Sequence, residues 1–214
     1  MARVDKKEIR RQEIVAAAQA VAARDGAEGA TLRAIAAEAG MAANAVLYYF
    51  GSHAEIIAAA VHASSDRFLE KLAEAVDPGM DPTARLAAVI SAGTTAGLDD
   101  DVSRILYEYW PHMLRDPEQR RIQEQLTSAQ ERVYREIIDA GTRSGEFSPL
   151  LHPDKIARTL VAQEDGLVMD VLAGSASSEY VLDLMGSLAA SLLGLKTETL
   201  LDLMGLRSGS ARTT

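Results

Sequence analysis

The chain contains no cysteine, which excludes disulfide bridges, thiolate metal sites, iron–sulfur centres and thiol catalysis. Histidine is scarce: His53, His62, His112 and His152 are the whole set. None lies three to five residues from another, so no helical metal-binding pair exists. Gly-rich phosphate loops and nucleophile elbows are missing, and the Gly174–Ser178 run reads as a helix-linking loop. Asp99, Asp100 and Asp101 read as a helix cap rather than a metal site. We therefore expect no enzyme, no cofactor and no metal. Long apolar runs are also absent. The stretch MARVDKKEIRRQ is charged, and Val181 to Leu195 is interrupted by Asp183. Neither suits export or a membrane span, so a cytoplasmic protein is expected. Net positive charge is lacking too: 22 Lys and Arg face 31 Asp and Glu, giving −9. Taken as a total, that argues against nucleic acid.

What is present is alanine and helical periodicity. Twenty of the first 60 residues are Ala, and strand-like alternation is absent. The 48% apolar content excludes disorder as the main state. Helices are expected at 8–24, 32–38, 43–49, 53–76, 83–97, 101–115, 117–144, 154–174 and 178–195, with a short tenth at 197–206. Ser52 to Glu55 reads as a capping box. Asp81-Pro82 and Asp116-Pro117 each place an acid before a proline at a helix start. Pro111 should bend or end its helix. The fold class is all-α. Expected domains are 1–53 and 54–207, followed by a disordered tail from Ser208 to Thr214.

Residues 32–50, LRAIAAEAGMAANAVLYYF, follow the pattern of a helix-turn-helix. Ile35, Ala39, Met41 and Val46 would seal two short helices, with Gly40 in the turn. The block from Arg11 to Glu55 resembles the N-terminal domain of the TetR family of transcriptional regulators. The resemblance rests on Ile14 and Ala18, Gly26 to Gly29, Thr31-Leu32, Ile35-Ala36, Ala39-Gly40, Tyr48-Tyr49-Phe50 and Gly51-Ser52. It covers about the first quarter of the chain.

Three positions depart from the family pattern: Ala42-Ala43-Asn44 replaces a hydroxyl-bearing stretch, Leu47 replaces Tyr, and His53 replaces Lys. The resemblance implies that the second short helix enters a DNA major groove. Asn44 can pair with an adenine edge, and Ala42 or Ala43 can pack on a thymine methyl. Thr31, Arg33, Tyr48, Tyr49, Ser52 and His53 are candidate phosphate contacts.

The charge divides along the chain. Residues 1–12 carry net +3, and 1–53 hold seven basic against six acidic residues. Residues 54–214 hold 15 against 25, or −10. DNA contact is thus expected at the head alone. The resemblance further implies a ligand-binding, dimerising second domain. Helices 154–174 and 178–195 carry wide apolar faces, the latter through Val181, Leu184, Leu188, Leu192 and Leu195, and are expected to pair with their copies. The homodimer would bind double-stranded operator DNA and answer to an unidentified small-molecule effector.

Two places are candidates for that effector. One is the aromatic segment with Tyr107, Trp110 and Met113. The other is Gln163, Glu164 and Leu167, where Glu164 falls inside an apolar arc and needs a partner or a shifted pKa. Arg104 and Arg158 are the alternative partners for Glu164. A helical small-molecule-binding dimer with a vestigial DNA head, suggested by Ala42-Ala43 and His53, is the alternative reading.

Overall fold

Several helix starts in the computed structural model are set by the side chains that mark them in the sequence. The structure describes residues 6–77, 79–99 and 101–206, with the side chains of 95–99, 101–103 and 118 also outside that set. Arg3, Asp5, the Asp99 to Asp101 side chains and the tail from Ser208 lie outside the described residues. Among the described residues there are eleven helices and no strand. They are α1 (Lys6–Gly29), α2 (Leu32–Glu38), α3 (Ala43–Phe50), α4 (His53–Ala75), α5 (Pro82–Asp99), α6 (Asp101–Glu108), α7 (Trp110–Met113), α8 (Pro117–Ser144), α9 (Pro153–Leu172), α10 (Ser178–Leu193) and α11 (Thr197–Leu203). No described helix is long and apolar enough to cross a membrane.

The expected caps are in place. Asp81 Oδ1 accepts from the Ala84 amide at 2.7 Å, and Asp116 Oδ1 from the Gln119 amide at 3.4 Å. Ser52 Oγ accepts from the Glu55 amide at 3.2 Å. Each satisfies a donor that the first helical turn leaves open.

Two elements differ from expectation. The first helical stretch of α1 breaks at Gly26, whose φ 72°, ψ 179° is non-helical and cheap only for glycine, and a second short helical stretch runs on to Gly29. The single helix expected over 101–115 is two. Tyr109 breaks it, and α7 restarts with Pro111 near its first position, where the missing N–H costs nothing.

The chain forms two compact units. One comprises Met1–Phe68 with Asp100–Glu124. In it, α2 and α3 pack on α1, and α6 packs along α1. Its core includes Ile14, Val21, Ile35, Val46, Phe50, Ile56 and Ile105. The other comprises Leu69–Asp99 with Gln125–Thr214, where α5, α9, α10 and α11 pack together. Its core includes Leu86, Ile90, Ile138, Leu160, Val168, Met185 and Leu193.

The buried face of α8 is rotated from the apolar stripe Ile122, Leu126, Ala129, Val133, Ile137 and Ala140. Leu126 and Ile137 of that stripe are buried, but Ile122, Ala129, Val133 and Ala140 are half-buried, and Gln130, Tyr134 and Ile138 turn inward in their place. Likewise α10 buries Val181, Met185, Ala189, Ala190 and Leu193, while Leu184, Leu188, Leu192 and the following Leu195 stay half-buried.

Candidate functional site

In the first unit, α2 begins at Thr31, whose Oγ1 accepts from the Ala34 amide at 3.2 Å. It ends in a tight turn in which Gly40 takes φ +64° and the Met41 amide bonds the Ala36 carbonyl at 2.8 Å. That turn delivers α3. Its inner side buries Val46 and Phe50 against the core, and its outer side leaves Ala42, Asn44 and Tyr48 exposed. Tyr48 is 77% exposed, far more than its ring requires for packing. Thr31 and Arg33 are exposed, and Ala43, Tyr49, Ser52 and His53 are half-buried.

The expected DNA-contact residues are therefore brought together on α2, α3 and the start of α4. Ser52 Oγ is engaged in capping α4, and its hydroxyl donates to Glu55 Oε1, 3.3 Å from Oγ. His53 Nε2 donates to the Ala30 carbonyl at 2.6 Å. Tyr48 and Tyr49 meet edge to face at 5.3 Å. Beside them a cleft of about 520 Å³ is lined by Lys6, Lys7, Arg10, Glu13 and both tyrosines. Arg10 is paired with Glu13 at 2.5 Å. Ala42 stands at the N-cap of α3 without a side-chain hydrogen bond.

The residues expected to meet an effector fall in different units. Tyr107 and Trp110 are half-buried in the first, where Met113 is core. Their neighbour Tyr109 is buried and donates its hydroxyl to the Ala27 carbonyl at 3.3 Å. Gln163, Glu164 and Leu167 lie on α9 in the second unit.

Glu164 is 1% exposed. Neither expected arginine meets it: Arg104 pairs with Glu108 at 3.7 Å, and Arg158 with Glu131 at 3.0 Å. Its partners come from α8. The Tyr134 hydroxyl donates to Oε2 at 2.7 Å, and Gln130 Nε2 lies 3.5 Å from Oε1. On α5, Gly93 admits the carboxylate, since a Cβ there would sit 2.5 Å from Oε1. Burial pushes Glu164 up to about 8, against the Tyr134 hydrogen bond, while Asp165 adds to the rise. Asp165 is itself raised to about 6 by burial, with Arg158 opposing.

Gln130 and Tyr134 bear polar groups and belong to no apolar stripe of α8. Their signal was a polar pair four residues apart, set between Leu126 and Ile138 at the same spacing. Among the described residues no group of three or more His, Asp or Glu is placed to hold a metal.

A glycine-turned pair of short helices, with the second bearing exposed Asn and Tyr, defines a helix-turn-helix DNA-binding protein. The comparisons narrow the class. Residues 14–60 match the sequence profile described as bacterial regulatory proteins, tetR family. Residues 91–179 match the Tetracyclin repressor-like C-terminal domain. YfiR of Bacillus subtilis (strain 168), an uncharacterized HTH-type transcriptional regulator, is 25% identical over 193 residues, spanning 89% of this chain and 92% of its own. A TetR transcription regulator from Haloarcula marismortui superposes with TM-score 0.78 at 20% identity, over 87% of this chain and 99% of that one. A protein from Saccharomonospora viridis solved in complex with choline gives 0.76 at 22%, over 83% and 94%. The chain belongs to the TetR family of transcriptional regulators. It has a DNA-binding head and a ligand-binding C-terminal domain.

Proposed function

We propose that the protein is a repressor that binds a two-fold operator as a homodimer and is released by a small molecule bound in its C-terminal domain. The observation that carries this is the outer side of α3, where Asn44 and Tyr48 are exposed and Tyr48 lines a cleft with Lys6, Lys7 and Arg10. Base-reading and phosphate-binding groups thus share one face.

Dimerisation through α9 and α10 is supported by their uncovered apolar residues. Leu184, Leu188 and Leu192 are half-buried, and Met169 and Tyr180 are 47% and 58% exposed. A second copy would remove these from water. For the effector, Glu164 favours a strongly hydrogen-bonding molecule, or a cation whose charge would draw the carboxyl back to its ionised form, because its protein partners Tyr134 and Gln130 are neutral. The choline held by the Saccharomonospora neighbour is of that class. Release requires the effector to bind one dimer state more tightly than the other.

The test is a duplex recovered from a random pool by selection on the protein, followed by anisotropy titration. Asn44→Ala is expected to relax preference at one base pair by roughly 1–3 kcal/mol. Leu188→Asp is expected to give monomers in sedimentation and to lose the operator complex. If no duplex is enriched at low salt, the reading fails. The vestigial-head alternative, which the uncapped Ala42 favours, then stands.

A further inference from the structure

α3 has only eight residues, about two turns, a length at which an isolated helix is marginal. Its N-terminus has no side-chain cap. Its C-terminus exposes backbone carbonyls that need donors. The Gly51 amide takes the Leu47 carbonyl at 2.8 Å, and the Ser52 amide takes the Phe50 carbonyl at 2.5 Å. The Tyr49 carbonyl is taken by a side chain from a different helix. Arg11 Nη1 of α1, 38 residues earlier in the chain, donates to it at 2.5 Å. The same guanidinium lies over the Phe50 ring, 4.0 Å from its centroid.

This places a permanent cation at the negative end of the helix, with one hydrogen bond and one ring face fixing its position. We infer that Arg11 is a positioning residue for operator readout: it locks the C-terminal end of α3 against α1, and so sets the pose in which Asn44 and Tyr48 meet DNA. The inference rests on the operator-binding reading above.

The geometry separates this role from a phosphate contact. A phosphate contact presents its donors to solvent. The Arg11 guanidinium is instead turned onto the Tyr49 carbonyl and the face of Phe50, a residue that is itself buried. Lysine is a poor substitute, because an ammonium cannot lie flat on a ring while its N–H points along a carbonyl. Arg11 also borders an open groove of about 650 Å³ lined by Val15, Ala16, Ala59 and Phe50. Truncation there opens onto the groove rather than creating a sealed void.

The experiment uses the full-length protein with Arg11→Met and Arg11→Lys. The probes are the duplex recovered by selection on the wild type and a scrambled duplex of equal composition. Arg11→Met is expected to weaken the selected duplex by ten-fold or more and to leave the scrambled duplex within two-fold. The slope of log affinity against log salt should be unchanged, because no phosphate contact is lost. Arg11→Lys should fall between the two.

Hydrogen exchange gives a readout that needs no DNA: the amides of 47–51 should exchange at least ten-fold faster in Arg11→Met, while those of 35–38 keep the wild-type rate. An equal loss on both duplexes, with the salt slope reduced by about one, makes Arg11 a phosphate contact and overturns the inference. Unchanged exchange at 47–51 overturns it as well. A wild-type protein that enriches no duplex fails the operator reading before any substitution is made, and the exchange measurement still decides the tether.

Discussion

Glu164→Gln should reverse its effect on stability between pH 5 and pH 7.5. The carboxyl lies 1% exposed between α5, α8 and α9, with Tyr134 and Gln130 as its hydrogen-bond partners and Asp165 beside it. Its ordinary value of 4.5 rises to about 8 in the fold. The unfolded chain therefore releases this proton above about pH 4.5, while the folded chain holds it until about pH 8. Over that window the unfolded state binds fewer protons, so stability falls as pH rises. The stabilisation is complete below about 4.5 and gone above about 8.

At about 1.4 kcal/mol per pH unit, the three units between 4.5 and pH 7.5 correspond to about 4 kcal/mol. Glutamine has the same shape and no proton to hold. It keeps an oxygen for the Tyr134 hydroxyl but introduces an amide donor that the site does not satisfy, a penalty of about 1–3 kcal/mol. The variant should accordingly be less stable than wild type at pH 5 and more stable, by about 1–3 kcal/mol, at pH 7.5. Asp165 titrates in both proteins, so the difference between the two profiles isolates Glu164. Urea unfolding at fixed protein concentration across pH 5 to 8 measures it. Parallel profiles would refute the reasoning, since they would mean that Glu164 keeps an ordinary pKa in its buried seat.

Gly93→Ala should destabilise despite the higher helix propensity of alanine. The new Cβ would sit 2.5 Å from Glu164 Oε1 and 2.8 Å from its Cδ, and overpacking of about 1–3 kcal/mol exceeds the ~1 kcal/mol gained from propensity. A higher melting temperature would show that the carboxylate moves aside freely. Ala42→Ser should supply the cap that α3 lacks, adding about 0.5–2 kcal/mol to that helix. Slower hydrogen exchange at Ala45 and Val46 would register it, and unchanged rates would mean that α3 is already held at both ends.

The helices were legible because their punctuation is local. Asp81, Asp116 and Ser52 each act within three residues of themselves, so the sequence carries the whole cause. The helix-turn-helix was legible for the same reason. What escaped were decisions made between helices. On α8 the apolar spacing runs through Val133 and Ala140, which the structure leaves half-buried. The fold turns Gln130 and Tyr134 inward instead, because Glu164 on α9 needs donors there. On α10 the leucine stripe reads as a face for a second copy, and Leu184, Leu188 and Leu192 are left half-buried; the stripe does not say which face packs inside the subunit. Close packing against α5, α9 and α11 selects the neighbouring face with Gly186, Ala189 and Ala190. Arg11 was legible as one charge of a basic segment. Its hydrogen bond to a carbonyl 38 residues away was not, since no local spacing encodes it.

The packing of α6 on α1 bears on how such regulators can be recombined. The unit that holds the helix-turn-helix is completed by Asp100–Glu124, which supplies buried Ile105, Leu106 and Tyr109. Tyr109 is further fastened to the Ala27 carbonyl, just past the break at Gly26. A head transplanted by one cut after α3 or within α4 would leave that packing behind and carry a bare apolar flank on α1. A working hybrid needs two exchanges, one bringing the first 68 residues and one bringing 100–124. The packed head of this protein is therefore inherited as two separated pieces of sequence, and a single crossover cannot move it intact.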